Sequence, residues 1–367
     1  MYSQTDLDEA VAAGAVSAEA AKALRSFVDL QRATPAVDEE QFRLITGFND
    51  IFVSIASAIL LFAVAWIGQS LAQSLGLAID SDGPGLLAPL AVAATAWGLA
   101  LFFTAKRRMA LPSILLLLAF VGGVFATAML SIGLVVGAAF LENNDKGLGA
   151  VMAISAAIAA GAAYLHWKRF RVPITVAAGA AAVAGVALGL LRTAFGDVAN
   201  FQQIMLGFIL LLGIGMFLFA MRWDSSDPAR VTRRSDVAFW LHLLAAPMIV
   251  HPIFTLLGLN DGSATIGEGV VVIALYVALG LTALAIDRRA LLVSALAYVL
   301  WSLSNLFKQF GAVELNIALT ALVIGSALLL LSAFWHQARA AVVRPLPENL
   351  RSKLPLVNER VSPQPAA

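Results

Sequence analysis

The chain contains no cysteine. Disulfides, thiolate metal sites and cysteine nucleophiles are therefore excluded, and compartment cannot be read from redox chemistry. Charge is scarce too. Asp, Glu, Lys and Arg make up 13% of the residues, against roughly 25% in a soluble domain. A chain that is 60% hydrophobic, with mean hydropathy +0.86, would aggregate in water, so a bilayer is its solvent. The formal net charge of +1 suggests neither a nucleic acid nor an acidic partner. Catalytic signatures are missing as well. There is no Walker A lysine loop, no His-Glu-x-x-His, no Gly-x-Ser-x-Gly and no paired Asp motif on an apolar run.

What the chain does have is long apolar runs, the first beginning near Ile51. No short basic n-region precedes it, so the first span is expected to act as an uncleaved insertion signal. Residues 1–49 read as a soluble arm. Thr5 and Asp8 form a capping-box-like start, Gly14 can close a first helix, and Ser17 can cap a second. Ala21, Leu24, Phe27 and Val28 share one face of that second helix. The reading is a small helical hairpin followed by an acidic linker containing Pro35. An arm of this size cannot bury a core alone.

From residue 50 to 335 the pattern predicts about ten spans, each long enough for a hydrocarbon core of roughly 30 Å. They fall near 50–72, 86–105, 112–134, 148–166, 173–192, 202–221, 236–258, 268–286, 290–310 and 315–335. The third run, Leu111 to Phe140, is overlong and admits a tilt, a break at Gly122-Gly123 or an interfacial tail. Basic residues gather in alternate loops: Lys106, Arg107 and Arg108; Lys168, Arg169 and Arg171; Arg222, Arg230, Arg233 and Arg234; Arg288 and Arg289. The other loops carry only Lys146, with Arg192 and Lys308 at or near that face. By the positive-inside rule both termini are cytoplasmic. Trp167, Trp223, Trp240 and Trp335 then lie near cytoplasmic span ends, as interfacial anchors would. His166 and His336 sit beside two of them.

The basic turns recur about every 60 residues, which fits either a regular hairpin array or a duplicated two-span unit. Small residues concentrate in the fifth and sixth spans, including Gly179, Gly185, Gly189 and Gly213, and signal close helix packing. Residues 336–367 form a basic, proline-rich tail whose first part is expected to lie along anionic headgroups.

The seventh span is the strongest candidate for function. Intramembrane ionisable groups are costly and usually face a bundle interior. Asp236 stands at its entrance, with His242 about 9 Å and His251 about 23 Å deeper at 1.5 Å per residue. Nine positions at about 100° each put the two imidazoles on opposite faces, so they cannot share one metal. Pro247 and Pro252 remove the helical donors to the Leu243 and Met248 carbonyls. Such freed carbonyls can serve a proton, an ion or a polar substrate. Ahead of the span, Asp224, Asp227, Arg230, Arg233 and Arg234 form a loop charge cluster. In the ninth span Asn305 and Lys308 share a face, and with Glu268 and His251 they could line an outward-facing cavity.

The segment Ala13-Gly14-Ala15-Val16-Ser17-Ala18-Glu19-Ala20-Ala21 resembles the short hairpin that opens certain bacterial multipass inner-membrane proteins, a family defined by a domain of unknown function. The stretch Thr232-Arg233-Arg234-Ser235-Asp236-Val237-Ala238-Phe239-Trp240-Leu241-His242-Leu243-Leu244-Ala245-Ala246-Pro247 is also similar to a segment of such proteins. The resemblance implies a bacterial inner-membrane setting and transfers no catalytic residues.

The expectation is an all-α polytopic transmembrane bundle in contact with lipid, with no cofactor, no metal and no nucleic-acid partner. Its leading function is transport-like or channel-like passage of a small polar or ionic solute. The alternative is a non-transporting scaffold or sensor that recruits a cytoplasmic partner, or a second copy, through residues 1–49 and the tail. A membrane-embedded enzyme ranks third.

Overall fold

A computed structural model of the protein describes residues 10–24, 48–80, 83–227, 230, 232–258, 266–289, 292, 296, 300, 316–351 and 354–355. It separates the chain into two compact units, Met1–Leu44 and Ile45–Ala367.

In the first unit a helical stretch ends where Gly14 adopts φ +70°, with the Ala15 N–H donating to the Ala10 carbonyl at 2.9 Å. Only glycine takes that left-handed conformation without a Cβ penalty. Residues 18–24 are helical again, and the Ser17 Oγ accepts from the Ala20 N–H at 3.1 Å. The two helical stretches and their turn thus follow the local capping signals, while Thr5 and Asp8 lie outside the described residues.

The second unit is a succession of helices: α1 Phe48–Ser74, α2 Leu87–Phe103, α3 Ala110–Val136, α4 Ala138–Asn143, α5 Asp145–Phe170, α6 Ile174–Phe195, α7 Phe201–Ser225, α8 Arg233–Leu256, α9 Ile266–Ile286, α10 Asn316–Ala333 and α11 Trp335–Val343. Six of them (α1, α3, α5, α6, α7 and α8) are long and apolar enough to cross a membrane, and α10 with α11 adds a seventh if that bent pair is one span. The apolar helix α2 and the apolar part of α9 from Val270 are shorter. The ninth predicted span, 290–310, falls largely outside the described residues. Among the described residues the only β pairing is one isolated bridge, Ala78 to Gly85, in the turn after α1. Gln69 braces that turn, donating to the Gly83 carbonyl at 2.8 Å and accepting from the Gly85 N–H at 2.7 Å.

The overlong third run resolves simply. α3 passes Gly122-Gly123 unbroken and stops at Gly137, whose φ is +87°, and the remainder is the six-residue α4. The predicted end of the membrane domain at residue 335 falls instead on a bend of 74° between α10 and α11. α11 is packed into the unit along Trp335, Arg339 and Val343, spaced four apart and all at least 97% buried. Of the basic residues at the start of the predicted tail, Arg339 is therefore held inside the protein, while His336 and Arg344 are exposed.

Consecutive helices pack as antiparallel pairs, most extensively α5 with α6 and α7 with α8. Gly149 and Gly189 let the first pair touch backbone to backbone. A Cβ on Gly189 would meet the Ala153 nitrogen at 2.6 Å. α8 is the most enclosed membrane-capable helix, with 50% of its apolar stretch buried against 17% for α1 and α7. Large apolar side chains such as Phe52, Ile59 and Trp66 remain exposed on α1, a face suited to lipid tails.

The turns that carry basic residues share one backbone device. Arg108, Arg171, Arg230 and Asp287 all have φ between +53° and +57°. Arg171 and Asp287 directly follow the last residue of a helix, and Arg108 and Arg230 lie within the turns that follow α2 and α7. This costly conformation for a residue with a Cβ recurs at the period seen in the sequence.

Candidate functional site

α7 buries a stripe of Leu206, Gly213, Ala220 and Asp224. The spacing of seven, seven and four is that of one helix face. Asp224 is therefore the last-turn member of the core face of α7, and its side chain is fully buried. α8 answers with Ser235, Ala238, His242 and Ala246, another three-four spaced buried face. His242 Nε2 lies 3.1 Å from Asp224 Oδ2. Arg288, from the turn after α9, closes the site. Its Nε and one terminal nitrogen donate to Oδ2 and Oδ1 of Asp224 at 3.1 and 2.5 Å. The same nitrogen also donates to the Ser235 carbonyl and hydroxyl, both at 3.1 Å. The fork engages both carboxylate oxygens, a geometry lysine cannot reproduce.

The backbone makes this reach possible. α9 ends at Asp287 in the left-handed region, φ +57°, so neighbouring side chains diverge. While Arg288 turns to Asp224, Asp287 accepts from Arg230 at 2.8 Å and from the Trp335 indole N–H at 2.7 Å. Arg230 also donates to the Ile286 and Asp287 carbonyls at 2.9 and 3.0 Å. Arg339 of α11 approaches Asp287 at 3.7 Å and donates to the Pro355 carbonyl at 2.6 Å. Arg289 lies over the Trp335 ring at 4.8 Å. Side chains of Asp224, His242, Arg288, Arg230, Asp287 and Arg339 are all no more than 8% exposed. Two carboxylates and three guanidiniums are thus buried where α7, α8, α9 and α11 meet.

The remaining predicted site residues divide into three groups. Asp227 caps α8, accepting from the Thr232 N–H at 2.9 Å and its hydroxyl at 2.6 Å, while Thr232 accepts from the Arg234 N–H at 3.2 Å. Arg233 and Arg234 are exposed, and Asp236 is partly buried in the first turn. Deeper in α8 the helix runs continuously through Pro247, which is exposed, and Pro252, which is buried. His251 is exposed, on the face opposite the buried His242, and the Thr255 hydroxyl donates to its carbonyl at 2.9 Å. The Met248 carbonyl, deprived of its helical donor by Pro252, sits against Gly213 of α7, where a Cβ would meet its oxygen at 2.9 Å. That carbonyl faces a helix, so the second proline does not open a polar wall at this point. Asn305 and Lys308 lie outside the described residues, and Glu268 is placed only as part of the α9 backbone.

One sequence reading is corrected by packing. Trp335 is 3% exposed and donates to Asp287, so it is a core residue, not an interfacial anchor. His166 is fully buried, with Nδ1 3.2 Å from the Thr175 hydroxyl and its ring against Trp97, Phe120 and Phe170. Arg288, Asp287, Ser235 and Arg339 were missed as site residues. Extending the buried stripes of α7 and α8 by one turn picks out Asp224 and Ser235. Nothing local distinguishes Arg288 from the neighbouring Arg289.

No family model, curated protein or solved structure matches this chain. Among the described residues no group of three or more His, Asp or Glu side chains is arranged to hold a metal ion. The arrangement can fix helix ends, orient one imidazole and hold a carboxylate ionised away from water.

Proposed function

We propose that this chain is a ten-span protein of a bacterial inner membrane, with both termini cytoplasmic, that passes a small polar or ionic solute. In this reading the Asp224–His242–Arg288 network is the closure at the cytoplasmic end of the pathway between α7, α8 and α9. The observation that carries the reading is the burial of these ionic side chains at the ends of membrane-capable helices. A buried ion pair is a poor way to gain stability compared with apolar packing. Ionisable groups at such positions mark solute and ion pathways more often than inert cores. The partners come from separate helices and a turn, so the contact can open as a unit when those segments part. The basic turns support the orientation by the positive-inside rule.

The test is passage through the purified protein in liposomes. Stopped-flow light scattering would follow swelling in isosmotic urea, glycerol, alanine and potassium chloride. At least one solute is expected to enter faster than into protein-free liposomes, and Arg288→Gln is expected to change that rate. Entry equal to the protein-free control for all four would remove the support for passage through this seam.

The separate compact unit Met1–Leu44 favours a second reading, recruitment of a cytoplasmic partner. Deleting residues 1–44 is then expected to abolish capture of that partner while leaving His242 variants silent. Unchanged capture after the deletion would contradict it.

A further inference from the structure

The Asp224 network contains one atom that the closure reading leaves without a task. His242 Nε2 faces a carboxylate oxygen at 3.1 Å, and two lone pairs cannot face each other at that distance, so Nε2 carries the hydrogen. Nδ1 is then a bare acceptor. It is buried and has no hydrogen-bond partner. An unmatched acceptor in an apolar surround costs free energy. The imidazole as a whole has Asp224 on its Nε2 side, with Arg288 from the turn after α9 bound to that carboxylate, and the Phe217 ring of α7 edge-on with centroids 5.3 Å apart. Arg230 lies in the neighbouring loop.

A second orphan lies on the same seam. The Tyr276 hydroxyl of α9 is buried and has no partner. Its side chain packs with the apolar clusters that contain Ala246 and Val250, one and two turns beyond His242 on the buried face of α8. Tyr276 thus places a hydroxyl beside the apolar side chains that follow His242 on α8.

Resting on the passage reading, we infer that the ion coupled to this seam is a proton, taken up at Nδ1 of His242. The Arg288 fork already occupies both oxygens of Asp224, so a metal cation finds no open carboxylate there and meets a guanidinium beside it. An anion is not bound by Nδ1, which offers only a lone pair, and the Arg288 fork is already engaged by Asp224 and Ser235. A proton needs no cavity and only a lone pair. On uptake, the N–H bond forms at Nδ1 and the neutral imidazole becomes imidazolium, raising the charge of the Asp224–Arg288–His242 group from zero to +1. On release the same proton leaves from Nδ1; by the other route the Nε2 proton passes to Asp224, leaving the Nδ1–H tautomer, and the start is regained when Nδ1 loses its proton and Asp224 returns its own to Nε2. The added charge competes with Arg288 for Asp224, which links proton uptake to loosening of the closure.

Liposomes containing the intact protein and internal pyranine test this, with a potassium diffusion potential imposed by valinomycin and an outward-to-inward pH step. The same preparation is measured for urea, glycerol, alanine and potassium chloride entry. Wild type is expected to acidify the lumen faster than protein-free liposomes. His242→Gln keeps a donor toward Asp224 but has no lone-pair nitrogen to protonate, so it should lose at least about tenfold in proton entry while retaining its melting temperature. Tyr276→Phe should slow entry by a smaller factor. Unchanged proton entry in His242→Gln overturns the proposal, and unchanged entry in Tyr276→Phe removes the tyrosine from the route. If a solute passes but wild type moves no protons, the inference falls and the passage reading stands. If neither moves, both fall.

Discussion

The two ends of the α5 to α8 region hold ions in opposite ways. At the start of α5, Lys146 pairs with Asp197 at 2.6 Å, and Arg192 pairs with Asp145. Side chains there are between 28% and 59% exposed. At the far end of α7, about 36 Å away at 1.5 Å per residue, the Asp224 and Asp287 pairs are at most 8% exposed. The chemical groups are the same and their energetic roles differ. An exposed pair exchanges water for a partner of nearly equal value, worth about 0–1 kcal/mol. A buried pair is locked in, because removing one member strands the other without water. The first end can lose a charge and stay folded as before. The second acts as one unit.

The largest break in this contrast is expected from Asp224→Ala. It leaves Arg288 buried without its carboxylate and His242 without its acceptor, and should cost about 3–5 kcal/mol in detergent-solubilised unfolding. Trp335→Phe comes next. It removes the indole donor to a buried carboxylate and should cost about 1.5–3 kcal/mol by the same assay. Gly189→Ala separates the α5–α6 backbones without touching a charge, and overpacking at that contact should cost about 1–3 kcal/mol. It should leave solute entry through the α7–α8–α9 seam unchanged. The smallest effect belongs to Lys146→Ala, within about 0–1 kcal/mol and diminished further by added salt. A Lys146→Ala loss as large as that of Asp224→Ala would erase the distinction between the two ends.

The helices themselves were legible. Apolar runs placed α1 to α3 and α5 to α9 within a few residues, since hydrophobic length and Gly, Ser and Thr punctuation are local properties. The opposite faces of His242 and His251 followed from helical geometry alone. The charge network was legible only in part. Asp224 read as loop because a polar residue near a span end looks like the start of water, yet it closes the buried stripe begun at Leu206. Arg288 read as one more loop cation, and Arg339 as part of a tail. Their roles depend on a left-handed Asp287 and on a 74° bend before α11, and neither leaves a pattern in the neighbouring residues. The second proline also gained its meaning from a neighbour. Its freed carbonyl meets Gly213, so the polar weight of α8 lies nearer its start, at His242.

Because the chain has no cysteine, one introduced thiol reports on the closure without background. Ala246→Cys places it on the buried face of α8, one turn beyond His242, and Ala156→Cys on buried α5 serves as the control for general unfolding. In vesicles, a membrane-impermeant maleimide should leave both thiols unlabelled while the network is intact. Combining each with Arg288→Gln should make the thiol at 246 reactive and leave that at 156 protected. Equal labelling at 246 with and without Arg288 would contradict the claim that this network closes the seam.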